Sequence, residues 1–132
     1  LVVFLCRKVS GPREESPAAR AVVQIAKVMS LIETLHAERL TLDAMAAAAY
    51  VSRRHLTRLF RMAHGMSPME YVLQVRVQRA AELLRGTPQS VTAIALACGF
   101  SDGNYFSRQF RAVTGVTPSA YRAAGAGTLR GA

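Results

Sequence analysis

A chain of 132 residues, 51% of them hydrophobic, has apolar surface for one core of ordinary size or two small ones, which excludes disorder throughout. Its formal charge of +9 is unevenly placed: residues 1–43 hold six Lys/Arg against five Asp/Glu, residues 44–132 hold eleven against three, and all eleven are Arg. That excess points to an acidic polymer as partner, nucleic acid ahead of a membrane surface, and the guanidinium fork suits phosphates and guanine edges.

Leu1–Leu5 reads as a short β-branched strand with no sheet to join, closed by Cys6-Arg7-Lys8. It is far shorter than the roughly 20 apolar residues that span a bilayer, and no basic region precedes it, so neither a transmembrane nor a secretory segment is expected. A first residue Leu rather than Met reads as a piece of a longer chain. Ser10–Pro17 reads as a linker with Ser16 as N-cap and Pro17 in the first helical position. Val22, Ile25, Met29, Ile32 and Leu35 then recur at helical spacing up to His36. Thr41 caps an Ala-rich helix over Leu42–Tyr50, whose alanines let a neighbour approach closely. Ser52 caps Arg53–His64, and Gly65 supplies the left-handed residue that ends it. Ser67-Pro68-Met69-Glu70 is a capping box opening a long helix to about Arg85, with Val72, Val75, Ala80, Leu83 and Leu84 on its apolar side. Ser90 caps Val91–Cys98, Gly99-Phe100 turns, Ser101 caps Asp102–Thr114, and Gly115 stops it. Thr117-Pro118 opens a final short helix through Tyr121, and the small, Gly-rich end reads as a flexible tail.

The expected architecture is all-α, with about seven helices in two helix-turn-helix subdomains joined by a long linker helix. The expected boundaries are 1–15 for the end of an upstream domain plus linker, 16–66 for the first subdomain, 67–86 for the connecting helix, 87–124 for the second subdomain and 125–132 for the tail.

The two halves say the same thing twice. Residues 42–71 are echoed by 91–121: Leu42 matches Val91, Met45 Ile94, Ala46 Ala95 and Ser52 Ser101. After one extra residue in the second copy, Leu56 matches Phe106, Phe60 Phe110, Gly65 Gly115, Pro68 Pro118 and Tyr71 Tyr121. Such a period marks a duplicated supersecondary unit, and two copies are too few for a solenoid. A short helix, tight turn and second helix is a helix-turn-helix, whose second helix fits the major groove.

In the second helix of each unit, one face is apolar: Leu56, Leu59, Phe60 and Ala63, then Phe106, Phe110 and Val113. The other faces hold the candidate DNA contacts. In the first unit these are Ser52, Arg53, Arg54, His55, Thr57, Arg58 and Arg61; in the second they are Ser101, Asp102, Asn104, Tyr105, Ser107, Arg108 and Arg111. A run such as Arg53-Arg54-His55 is usually a solvated helix face, but here the polar-basic face occurs twice in matched positions. The matched pairs Arg58/Arg108 and Arg61/Arg111 suit phosphate anchoring, and the unmatched residues suit the reading of two different half-sequences. Arg76 and Arg79 on the connector are assigned to phosphate or connector roles. A connector of roughly 18 residues spans about 27 Å, against about 34 Å between successive major grooves. A shortfall would be met by bending the DNA, at about 1–6 kcal/mol.

These residues resemble the C-terminal DNA-binding domain of AraC/XylS-type transcription regulators. The likeness rests on Ser52–Arg61, Gly65-Met66-Ser67-Pro68, Ile94-Ala95, Cys98–Asp102, Tyr105–Arg111 and Gly115–Arg122, and it covers about residues 17–122. The resemblance implies seven helices, sequence-specific promoter binding, activation through RNA polymerase, and an N-terminal domain for inducer binding and dimerisation. LVVFLCRK followed by a Gly/Pro linker looks like the end of the amidotransferase-like sensor domain of one branch, although Val9-Ser10 departs from the usual tail there. Gly103, where many relatives have a side chain, leaves one potential DNA contact absent.

Other functions fare worse. His36, His55 and His64 lack a Ser, Cys or carboxylate constellation, and no phosphate-cradling glycine loop is present, so catalysis is not expected. His64 before Gly65 reads as a C-terminal residue favourable to the helix dipole. Cys6 and Cys98 sit in no CxxC or Cys/His cluster, so neither metal nor cofactor is expected, and a reducing bacterial cytoplasm is the consistent compartment. A membrane binder would need a wide exposed apolar face. The alternative that remains is a helical protein-interaction module with only non-specific DNA affinity.

Overall fold

The computed structural model describes the backbone of residues 16–131 and the side chains of residues 16–125. The strand expected at residues 1–5 and the linker before Ser16 lie outside the described residues. Within them the chain forms seven helices and no strand: α1 (Pro17–Leu35), α2 (Leu42–Ala48), α3 (Arg53–His64), α4 (Pro68–Gly86), α5 (Val91–Ala97), α6 (Gly103–Thr114) and α7 (Pro118–Gly131).

Capping chemistry sets most of these boundaries. The hydroxyls of Ser16, Thr41, Ser52 and Ser90 each accept a backbone N–H three residues on, from Ala19, Ala44, His55 and Ala93, all at 3.0 Å. At the start of α4 both bonds of the capping box form: Glu70 N–H donates to Ser67 Oγ at 3.2 Å and Ser67 N–H to Glu70 Oε1 at 2.7 Å. The Ser67 amide holds the Glu70 carboxyl below the ordinary carboxylate value, with the Ser67 hydroxyl adding to it. Gly65 and Gly115, with φ of 74° and 89°, end α3 and α6 in the left-handed region.

The helices close around two cores. Ile25, Val28, Ile32, Met45, Ala46, Leu56, Phe60, Val72 and Val75 form the first; Val77, Ala80, Leu84, Ile94, Ala95, Phe106 and Phe110 form the second. The connector belongs to both. Its buried residues Val72 and Val75 face the first core, while Val77, Ala80 and Leu84 face the second. At 3.6 residues per turn those two sets point about 150° apart. The single apolar side read from the sequence is therefore two sides, and Val77, absent from that reading, is buried.

Within each unit the turn is built alike. Val51 N–H donates to Ala46 O and Phe100 N–H to Ala95 O, both at 3.0 Å, and the residue before each acceptor's partner takes a positive φ, 58° at Tyr50 and 95° at Gly99. From there the copies differ by one residue. Asp102, not Ser101, caps α6: its Oδ1 accepts the Tyr105 N–H at 2.7 Å, as Ser52 accepts His55. Ser101 is thus the inserted residue, and a carboxylate replaces the hydroxyl as cap. The one-residue shift in the repeat concealed this, because Ser101 pairs with Ser52 by letter but not by geometry.

Other expectations also shift. Val22 is 67% exposed while Val28 is fully buried, because only the C-terminal part of α1 packs against the core. Ala63 is exposed, since the inward stripe of α3 runs Leu56, Phe60, His64. α7 continues to Gly131, past Tyr121 and through the segment read as a flexible tail. Ala123 and Ala124 favour helix, and Gly125 brings the backbone against the Arg85 stem, where an added Cβ would lie 3.5 Å from Arg85 Cγ.

The cap assignment is checked by two substitutions. Asp102→Ala is expected to lower stability by about 1 kcal/mol in urea unfolding, and Ser101→Ala to leave the midpoint within error.

Candidate nucleic-acid interface

The polar faces of α3 and α6 are open, as their register requires once Leu56 and Phe60, or Phe106 and Phe110, are turned inward. Arg53, Arg54, Arg58 and Arg61 are exposed on α3, with His55 and Thr57 half-buried beside them. Ser52, Arg54, His55, Thr57, Arg58, Arg61 and Met62 line a shallow open depression of about 750 Å³. On the second unit Ser101, Asp102, Asn104, Tyr105, Arg108 and Arg111 are exposed and Ser107 is half-buried. The structure thus brings each predicted set together on one helix and the residues just ahead of it.

The arginines divide by what their donors do. Arg76 is half-buried and turned inward: its Nε donates to His36 O at 2.6 Å and an Nη to Glu38 O at 2.9 Å, tying α4 to the end of α1. Burial lowers its pKa from the usual arginine value, and Tyr105 acts in the opposite direction. Of the two roles given to it from the sequence, phosphate or connector, its donors take the second. Arg79 pairs with Glu82 at 3.6 Å and reaches Glu33 of α1 at 3.9 Å. These exposed pairs are worth little each. Arg122, which the sequence reading left without a role, is a second clamp: Nε donates to Leu84 O at 3.0 Å, and an Nη to Thr87 O at 3.1 Å and Gln89 O at 2.7 Å. Arg76 holds the loop entering the first helix-turn-helix and Arg122 the loop entering the second. No local motif marks either, because their acceptors lie more than thirty positions away in the chain.

On α3 and α6 the arginines Arg53, Arg54, Arg58, Arg61, Arg108 and Arg111 are all exposed. Arg58 donates to His55 Nδ1 at 3.0 Å on its own helix, a bond that requires that nitrogen to carry no proton. Arg108 lies over the Tyr105 ring at 5.9 Å, and Tyr105 in turn leans on Phe100 at 6.1 Å between centroids. Arg53 pairs with Asp43 at 3.3 Å, anchoring the start of α3 to α2. Asp102 spends one carboxylate oxygen on its cap, so its place in the predicted contact set is at the helix start rather than along the face. His64 is more than a dipole partner. Its ring packs 5.2 Å from Phe60 and 5.4 Å from Tyr71, completing an aromatic cluster under α3.

Residues 45–124 match the helix-turn-helix domain family. The chain is an AraC-type DNA-binding domain. It is 41% identical to a transcriptional regulator with an AraC-type DNA-binding domain from Chromobacterium violaceum, covering 78% of this chain and 92% of that one with a TM-score of 0.74. It is 38% identical to the DNA-binding domain of the global transcriptional factor AdpA, solved in complex with a target DNA, covering 75% of this chain and 89% of that one with a TM-score of 0.70. It is also 36% identical over 108 residues to the transcriptional activator RhaR of Pectobacterium atrosepticum, covering 82% of this chain and 38% of that protein. The chain spans less than half the length of the curated relatives it matches, 41% for the regulator YijO of Escherichia coli K12. Among the described residues no cluster of His, Cys, Asp or Glu could hold a metal ion, and no helix is long and apolar enough to cross a membrane.

Removing the second clamp gives a direct check on its role. Arg122→Ala is expected to cost about 2–3 kcal/mol of stability, since hydrogen bonds from a charged donor are worth about 1.5–3 kcal/mol and three carbonyls lose theirs. Equilibrium denaturation measures it.

Proposed function

We propose that this AraC-type domain binds duplex DNA sequence-specifically with α3 and α6 in adjacent major grooves, as the DNA-reading part of a bacterial transcription regulator. The observation that carries the reading is the division of the arginines. With Arg76 and Arg122 committed inside and Arg79 paired on the connector, Arg54, Arg58, Arg61, Arg108 and Arg111 remain on the outer faces of the two equivalent helices. A helix with an open N-terminal half and cations flanking it can set phosphates in place while its polar residues meet base edges. α4 has 19 residues, about 28 Å of helix, and carries the first unit against Val72 and Val75 and the second against Val77, Ala80 and Leu84.

In this reading Arg58, Arg61, Arg108 and Arg111 anchor phosphates. Arg54, His55 and Thr57 read one half-site, and Asn104, Tyr105 and Ser107 the other, with Ser52, Arg53, Ser101 and Asp102 at the helix starts. The likeness to an activator supports activation, with RNA polymerase as the protein partner and the bacterial cytoplasm as the compartment. Inducer binding and dimerisation belong to an upstream domain. The chain works by binding rather than by catalysis.

Selection of sites from random duplexes, followed by footprinting, tests the reading. It predicts two protected major-groove segments about one helical turn apart. A single protected segment, or binding indifferent to sequence, would leave the protein-interaction alternative in its place. On the selected duplex, Arg54→Ala or Asn104→Ala is expected to lose about 1–3 kcal/mol of discrimination at one base position. Arg61→Ala or Arg111→Ala is expected to weaken all sequences alike and to reduce the slope of log K against log salt by about 1.

A further inference from the structure

The turn of the second helix-turn-helix lies against the first subdomain. A Cβ placed on Gly99 would fall 2.9 Å from His36 O, 3.0 Å from Arg76 Nε and 3.1 Å from Ala37 Cα. No side chain fits there without displacing backbone. The first unit supplies an internal control. The same turn position is Tyr50, also left-handed with φ of 58°, and it is 85% exposed. At position 99 the φ of 95° lies further into the region that favours glycine, and the neighbouring subdomain adds a steric contact that the first unit's exposed turn lacks.

Arg76 is the other half of this junction. From α4 it holds the His36 and Glu38 carbonyls in place at 2.6 and 2.9 Å, so the surface that Gly99 meets is itself fixed. The Tyr105 phenol on α6 acts electrostatically on the same guanidinium. The end of α1, the connector and the turn ahead of α6 thus meet around one side chain.

We propose that the Arg76–Gly99 junction is a positioning device that fixes the angle and separation of α3 and α6, and so sets the half-site spacing this domain accepts. The inference rests on the two-groove reading above. Moving one half-site by a single base pair displaces it by about 3.4 Å and turns it by about 35° around the duplex axis. A rigid pair of helices cannot follow that change, whereas a hinged pair can.

The experiment uses the 132-residue chain and duplexes carrying both selected half-sites at the optimal separation, or one and two base pairs nearer or farther, beside duplexes with one half-site scrambled. The native chain is expected to lose about tenfold in affinity per base pair off the optimum, the order of effect that deforming DNA or protein imposes. Gly99→Ala and Arg76→Gln are expected to keep half-site affinity within about twofold while their spacing profiles flatten to about two- to threefold per base pair. Gln78→Ala, exposed on the same helix, should keep the native profile.

A native profile already flat, with both grooves protected, overturns the junction's role and leaves the two-groove reading standing. Protection of one groove only overturns that reading. Should Gly99→Ala fail to fold, Arg76→Gln carries the test. A profile unchanged in Arg76→Gln, whether or not half-site affinity falls with it, overturns the proposal.

Discussion

The connecting helix has to satisfy two cores at once. Val72 and Val75 complete one apolar cluster, and Val77, Ala80 and Leu84 complete another on a face turned well away from the first. A helix with one apolar stripe would leave one subdomain unfinished; a helix with apolar residues on two sides glues both to a single rigid rod. The position of each reading helix follows from this, because α3 and α6 are each held by the large aromatic residues they turn toward α4, Phe60 in one unit and Phe106 and Phe110 in the other. The geometry presented to DNA is thus a consequence of how one helix distributes its hydrophobic side chains.

Electrostatics then follow from packing. A charge excess confined to the duplicated half does not by itself say which cations are available to a polyanion. Two of the arginines close helix-entry loops through backbone carbonyls, where a planar fork with several donors does what a lysine could not. Those on the outer faces of α3 and α6 keep their donors directed outward or engage only near neighbours, as Arg58 does with His55 and Arg108 with Tyr105. Holding a guanidinium over a ring or against an imidazole reduces the freedom it would lose on meeting a phosphate.

Duplication explains the sameness of the two units, and their position in the fold explains their differences. The first unit's turn projects into solvent and tolerates Tyr50 at a left-handed position; the second is pressed against the first subdomain and holds Gly99. The first reading helix begins at a serine cap with three cationic or titratable residues behind it. The second begins one residue later at Asp102, followed by Gly103 and Asn104. Gly103 also lies close to α5, since a Cβ there would be 3.2 Å from Thr92 Oγ1. The outward faces of α3 and α6 therefore differ in both charge and contour.

Much of this was legible from residue order alone. Helix starts marked by Ser-x-x or Ser-Pro-x-Glu, helix ends marked by glycine, and the apolar spacing of Leu56–Phe60 and Phe106–Phe110 are local signals, with their causes a few residues away. Repetition of those signals identified the paired helix-turn-helix units and the outward faces that carry the candidate contacts. What could not be read there depends on groups distant in the chain and adjacent in space. Arg76 and Arg122 look like any surface arginine until their carbonyl acceptors are folded against them. Gly99 looks like a turn glycine until His36 is seen beside it, and Ser101 passes for a cap until the backbone hands that bond to Asp102. Local chemistry is written in neighbouring letters; which side of α4 faces which core, and which cations remain for a partner, is settled only when the helices pack.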